Sequence, residues 1–302
     1  MKIQSYGYLS VLSPARKITS EIHDERGGRM GGFDDVPAGI DARVPSVARM
    51  YDYYLGGKDN FASDREAAEK MIEIGRQMGN DTREIARANR RFLGKAVTLL
   101  AKAGIRQFID IGAGLPTQDN VHQVARRHVP DARVVYVDND PIVLIHARAL
   151  LAGDADVIAV QGDARRPEAI LDDPKVIGHL DLTQPFAVLM VAVLHFIVDD
   201  AEAARITATV RDRLVPGGHL VLSHLYEGNA ADDVTQASQL IYRKTAPGGL
   251  ARRGLDQISA FFDGMDLIPP GITPVADWDA ETPPETVDLV RPGILAGVAR
   301  VR

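Results

Sequence analysis

The stretch Phe108-Ile109-Asp110-Ile111-Gly112-Ala113-Gly114-Leu115-Pro116-Thr117 decides how this chain folds. A short apolar run, Gln107 to Ile111, meets two glycines one residue apart, so a buried strand ends in a turn whose backbone a ligand can approach closely. Open α/β sheets bind nucleosides at such strand ends, although a lone Gly-x-Gly is often only a tight turn.

Outward from this strand, short apolar runs at Arg133 to Val137, Val157 to Gln161, Phe186 to Leu194 and His219 to Ser223 alternate with helical stretches. That alternation predicts a parallel sheet with helices on both faces. Two further runs, Leu267 to Val275 and Ile294 to Val301, have only a Pro-rich, Trp278-containing connection between them and predict an antiparallel hairpin at the sheet edge. Upstream, Ile85, Ala88, Phe92, Ala96 and Leu100 recur at helical spacing and Gly104 follows as a stop. Residues 1–44 mix glycine pairs, proline and charges without an apolar period and read as a mobile arm, in which Met30 is an alternative start to Met1. The expected division is arm 1–44, helical cap or lid 45–104 and sheet domain 105–302.

Two more strand ends carry chemistry. In Val137-Asp138-Asn139-Asp140-Pro141, Asp138 lies 24 residues past Gly114, where a carboxylate accepts hydrogen bonds from ribose hydroxyls. Asp140 is better placed as the N-cap of a helix that starts at Pro141. In Gln161-Gly162-Asp163-Ala164-Arg165, Asp163 is placed to accept from an adenine amino group, or else to cap a turn. A diphosphate cradle would need a third glycine where Thr117 stands, after Pro116, so a nicotinamide dinucleotide fits poorly. S-adenosylmethionine (SAM) has no phosphate, and Asp110 could face its ammonium or anchor the loop. Five parallel strands and a terminal hairpin form the seven-stranded, Rossmann-like layout of class I methyltransferases.

The segments FIDIGAGLPTQDNVHQVA, VVYVDNDPIVLIHARALL, the LHF of VAVLHFIVDD, LVPGGHLVLSH, YDYYLGGKDNF and ARANRRFL resemble a family of actinobacterial SAM methyltransferases of undefined acceptor, over roughly residues 41–300. The resemblance implies the seven-stranded fold and SAM binding at Gly112, Gly114, Asp138, Asp163 and the strand-four end Val193 to His195. Ala113, Asn139 and Ala164 are expected beside them. At Asp277-Trp278-Asp279-Ala280 the chain departs from the Trp-Arg-Pro expected there.

Methyl transfer is an in-line displacement that depends mainly on alignment in a dry pocket, with a general base needed only for some acceptors. His195 is the candidate base, against a simpler role as a pocket-lining residue; His224 carries the same ambiguity. Tyr51, Tyr53 and Tyr54, followed by Gly56-Gly57, read as a lid, with Tyr54 and Gly57 at the cofactor and Lys58 or Asn60 within reach of its carboxylate. The stripe Arg83, Arg87, Arg91 and Lys95 reads as a solvated helix face.

Composition narrows the rest. A chain of 302 residues, 45% hydrophobic, buries a full core, and a net charge of -6 disfavours nucleic acid or an anionic membrane as partner. The absence of cysteine excludes disulfides, thiolate zinc sites and a cysteine nucleophile. With no signal-peptide or membrane-spanning run, a cytoplasmic enzyme acting on a small molecule is expected. Strand four ends in Leu194-His195-Phe196 in place of Asn-Pro-Pro-Tyr, which argues against base methylation. A SAM-binding regulator without turnover and an NAD(P)-dependent oxidoreductase are the alternatives.

Overall fold

The computed structural model describes residues 41–302 except 117–118, 152, 244 and 246–248, with 232–235 described by their backbone alone. Nearly all of the expected N-terminal arm, and Thr117, therefore lie outside the described residues.

The apolar runs form one eight-stranded sheet. Its strands are β1 (Gln107–Ile111), β2 (Arg133–Asp138), β3 (Val157–Gln161), β4 (Ala187–Val191), β5 (His219–Tyr226), β6 (Asp266–Leu267), β7 (Thr273–Pro274) and β8 (Gly293–Arg300). The order is β3-β2-β1-β4-β5-β8-β6, with β7 also on β8; β1 to β5 run parallel, and β8 is antiparallel to β5, β6 and β7. This is the expected mostly parallel α/β sheet with an antiparallel C-terminal hairpin.

Two strand boundaries differ from expectation. The run Leu267 to Val275 is split into β6 and β7, because Pro269 and Pro270 have no amide hydrogen to give the ladder and Gly271, at φ 85°, turns the chain. The run Phe186 to Leu194 leaves the sheet at Val191. Ala192 takes φ 59° and a single 3-10 turn, Leu194–Phe196, follows, which swings His195 out of the strand.

The helices are α1 (Val47–Tyr54), α2 (Ala62–Gln77), α3 (Thr82–Lys102), α4 (Val121–Arg126), α5 (Pro141–Leu150), α6 (Pro167–Leu171), α7 (Pro174–His179), α8 (Asp200–Arg213), α9 (Asp232–Tyr242) and α10 (Leu255–Ala260). Helix α3 begins where Asp81 accepts from the amides of Arg83 and Glu84, and ends before Gly104 at φ 92°. Its apolar stripe, Ala88, Phe92, Ala96 and Leu100, is buried with Phe108, Val134, Ala187 and Leu189 of the sheet, so α3 is a layer of the sheet core as well as a wall of the region above it. Each such large side chain contributes roughly 1.5–3 kcal/mol. Trp278 is buried edge-on to Phe92, centroids 5.1 Å apart, which gives the tail segment a packing role. On the opposite face Ile206, Val210, Phe261 and Phe262 cover Ile109, Val188 and Leu220.

A smaller cluster joins α1, α2 and α9 through Met50, Tyr54, Ala68, Met71, Ile72 and Tyr242, with Phe196 and Leu225 from the ends of the central strands packed against it. These contacts hold the helices over the carboxyl ends of the sheet. Among the described residues no helix is long and apolar enough to cross a membrane, and no cluster of metal-ligating side chains occurs.

Candidate functional site

A cavity of about 690 Å³ lies between the strand ends and this helical layer. It is lined by Asp110, Gly112, Ala113, Gly114, Asp138, Asn139, Asp163, Ala164, Val193, His195 and Tyr54, so eleven of the twelve residues expected at the cofactor meet in one space. Its volume lies in the range of roughly 300–1,000 Å³ found for small-molecule sites.

The β1 turn is shaped by close approach. A Cβ on Gly112, at φ 74°, would come within 2.4 Å of Val193 Cγ2, whereas one on Gly114, at φ 66°, would meet nothing within 4 Å. The first glycine lets the β1 and β4 ends meet, and the second leaves bare backbone beside open space. Asp138 ties this turn to the next strand end. Its Oδ2 accepts from the Gly114 amide at 2.9 Å and its Oδ1 from the Asp140 amide at 2.9 Å, so the carboxylate is already oriented at the cavity. Burial pushes its pKa up, against the pull of those amides.

Asp140 caps α5 as expected, accepting from the Ile142 amide at 2.9 Å. It has a second role that sequence reading missed. Its Oδ2 accepts from Ser46 Oγ at 2.7 Å, and Arg49, bonded at 2.8 Å to buried Asp64, lies 3.8 Å away. These polar links seat the start of α1 on the second strand end. Asp163 is held by Arg165, whose Nη2 donates to Oδ2 at 2.7 Å; burial pushes the carboxyl up, and the Arg165 hydrogen bonds outweigh it and leave it below the usual range.

Asp110 shares the α3-facing side of β1 with Phe108. Burial pushes its carboxyl up to about 7, Arg90 opposing the shift and Asp138 adding to it. The folded state therefore keeps a proton that the unfolded chain, with its carboxyl near 3.8, has lost. The stabilisation is complete below that value and disappears as pH rises towards about 7. Thermal melts from about pH 4 to about pH 8 are expected to show the wild-type midpoint falling relative to Asp110→Asn over this interval. A flat difference would mean that Asp110 is ionised in the fold throughout.

The two histidines separate. His224 is buried with both ring nitrogens engaged, Nδ1 to the Leu225 carbonyl at 2.7 Å and Nε2 accepting from Arg253 Nη1 at 2.7 Å, and burial pushes its pKa down to about 3. It does not line the cavity. His195 does, 5% exposed, and its Nδ1 is buried without a hydrogen-bond partner. Burial, then the nearby His224, Arg252 and Arg253, holds this ring well below the usual histidine range, so it is neutral.

The lid expectation is corrected in part. Tyr51 and Tyr54 line the cavity, but Tyr53 turns outward to Glu69 and the Arg83 guanidinium. Gly57 does not line it. A Cβ there would fall 1.9 Å from Asp52 Oδ1, so this glycine serves the packing of buried Asp52 in the turn. Asn60 donates to Asp52 Oδ2 at 2.8 Å and exposed Lys58 is also absent from the lining, so neither supplies the polar end of the site. The roof is α1 and the residues before it, Val44 to Arg49, in place of the Gly56-Gly57 turn.

Sequence reading also missed Asn89, Arg90, Tyr242 and Arg252, all of which line the cavity. Asn89 and Arg90 stand one step around α3 from the Arg83, Arg87, Arg91 and Lys95 stripe, which is a surface face paired with Glu69, Glu84 and Asp279. The available signal was an uncharged polar residue, Asn89, next to the apolar stripe within that charged run; the structure buries it.

Comparison with known proteins agrees with this geometry. A family model described as S-adenosyl methyltransferase matches residues 34–302. The structure of a protein assigned as a methyltransferase from Thermobifida fusca is 37% identical, covering 88% of this chain and 98% of its own, with a TM-score of 0.78. A DUF574 family protein from Streptomyces avermitilis is 34% identical, covering 87% of this chain and 99% of its own, with a TM-score of 0.77. No curated protein matches. With the match spanning nearly the whole chain and the strand-end glycines and acids gathered around one cavity, this protein belongs to the S-adenosyl methyltransferase family.

Proposed function

We propose that the protein transfers the methyl group of SAM to a small-molecule acceptor inside the cavity. The observation that carries the reading is the continuity of the space: one cavity runs from Gly112, Asp138 and Asp163 at the β1 to β3 ends to His195 and Tyr242 beyond β4. A nucleoside at the first end has room for a second small molecule at the other.

SAM, when bound, supplies a methyl group on a positively charged sulfur. The chain's own residues do the positioning. Asp138, fixed by two backbone amides, accepts from the ribose hydroxyls, and the bare backbone at Gly114 lets the ligand lie against the turn. Asp163 turns towards the adenine amino group, sharing its carboxylate with Arg165. Asp110 meets the ammonium, which favours its ionised form. The apolar roof of Val47, Met71 and Tyr54 keeps water away from the reacting centre, and the neutral His195 ring takes a hydrogen bond or proton from the acceptor.

Titration calorimetry is expected to show one SAM per chain, with a rise in melting temperature from preferential binding to the folded state, and no comparable effect of NAD. Tight NAD binding without SAM binding would overturn the reading. Acceptor-dependent release of S-adenosylhomocysteine then distinguishes an enzyme from a SAM-binding regulator.

A further inference from the structure

The end of the cavity beyond β4 contains a cation that the chain does not neutralise. Four arginines line the cavity: Arg49, Arg90, Arg165 and Arg252. Arg49 is bonded to Asp64 and Arg165 to Asp163, and Arg90 donates to the Asp119 carbonyl at 3.2 Å and the Asn120 side chain at 3.1 Å. Arg252 has no carboxylate partner among the described residues, and its Nε is buried without any hydrogen-bond partner. Half-buried guanidinium groups without a counter-charge are costly to a fold, and proteins keep them where a ligand supplies the charge.

The local backbone explains why Arg252 faces the cavity. The segment before α10 is pinned along the ends of the central strands: the Ala251 amide donates to the His195 carbonyl at 2.7 Å, and the Arg253 amide to the Leu225 carbonyl at 3.1 Å. Adjacent side chains go opposite ways. Arg253 enters the core, where it is 1% exposed, donates at 2.8 Å to the Ile197 carbonyl and pairs with Asp200 at 2.9 Å. Arg252 lines the cavity, close enough to His195 and Tyr242 to act on their charge states. The same end presents the Tyr54 and Tyr242 hydroxyls, 3.4 Å apart, and the Phe196 ring, 5.5 Å from that of Tyr242.

Resting on the methyltransferase reading, we infer that Arg252 binds an oxyanion of the methyl acceptor, so that the acceptor is a small, largely apolar acid. The charged group is held by the guanidinium, and the apolar body lies against Phe196 and the tyrosine rings, which brings its hydroxyl or amine within reach of His195. Arginine suits this use because its fork of N–H donors matches the paired oxygens of a carboxylate or a phosphate.

The test uses the full chain saturated with S-adenosylhomocysteine and three probes of similar size: 4-hydroxybenzoate, phenyl phosphate and the uncharged 4-hydroxybenzamide. At least one anion is expected to bind about tenfold or more tightly than the amide, and the better of the two identifies the oxyanion as carboxylate or phosphate. Arg252→Met is expected to abolish that preference and Arg252→Lys to keep part of it, with the affinity for S-adenosylhomocysteine unchanged in both. Without ligand, Arg252→Met is expected to melt a few degrees higher than wild type, since it removes an unpaired, half-buried charge. Three results would overturn the proposal: no anion preference in the wild type, a preference that survives Arg252→Met, or a tenfold loss of S-adenosylhomocysteine binding in that variant, which would place Arg252 on the cofactor. Failure of the wild type to bind S-adenosylhomocysteine at all would instead count against the methyltransferase reading itself.

Discussion

Replacing Asp138 by alanine is expected to weaken SAM binding about a hundredfold. On the proposed reading, two hydrogen bonds from ribose hydroxyls to this buried carboxyl group contribute about 3 kcal/mol together, and each tenfold in affinity corresponds to about 1.4 kcal/mol. The structure adds a reason for so large an effect. Asp138 also accepts from the amides of Gly114 and Asp140, so its loss frees the β1 turn and the start of α5 at once. Asp140→Ala serves as the comparison. It removes an N-cap, costing about 1 kcal/mol of stability, together with the Ser46 link to α1, and is expected to reduce affinity by less than about tenfold. Calorimetry on both variants, with circular dichroism to verify the fold, decides the matter. Equal losses would show that the ribose is held elsewhere.

The second large effect concerns stability. Arg253→Met is expected to destabilise the protein by about 3 kcal/mol or more, although methionine fills much of the same volume. The Arg253 guanidinium satisfies the carbonyls of Leu194 and Ile197 and the Nε2 of His224, and each buried acceptor left unpaired costs about 1–3 kcal/mol. Those two carbonyls bracket the 3-10 turn that presents His195, so the variant is also expected to loosen the acceptor end of the cavity more than the nucleoside end. Urea unfolding should show a lower midpoint at unchanged slope. A midpoint within about 0.5 kcal/mol of wild type would mean that water replaces the guanidinium without cost.

Gly112, Gly114, Asp138 and Asp163 were legible because their meaning is local. A glycine, or a carboxylate just past an apolar run, sits at the carboxyl end of a strand wherever the strand goes, and parallel strands bring those ends to one edge of the sheet. The same locality exposed the Asp140 cap, given away by Pro141, and the helical stripe of α3.

Where the local signal was shared by two roles, only packing separated them. His195 and His224 both follow apolar runs, yet the His224 ring is engaged on both sides by Leu225 and Arg253 while His195 lines the cavity and its Nδ1 is buried without a partner. Gly57 looked like a hinge, and its lack of a side chain is explained by Asp52, five residues earlier, folding back on it. The strand expected across Leu267 to Val275 failed because Pro269 and Pro270 cannot donate to a ladder, a local fact that outweighed the apolar pattern.

By itself, then, the amino-acid sequence determined the alternation of strands and helices through the parallel part of the sheet and the glycines and acids at the ends of its first three strands, since these follow from periodicity and from chemistry tied to neighbours in the chain. The tertiary structure alone decided what closes the cavity and what lines its end beyond β4. Tyr54 meets Tyr242 across 188 residues, Ser46 meets Asp140 across 94, and the Arg252 segment is pinned to His195 by the Ala251 amide. Such meetings are set by how helices bury their apolar faces over the sheet, and no spacing along the chain encodes them.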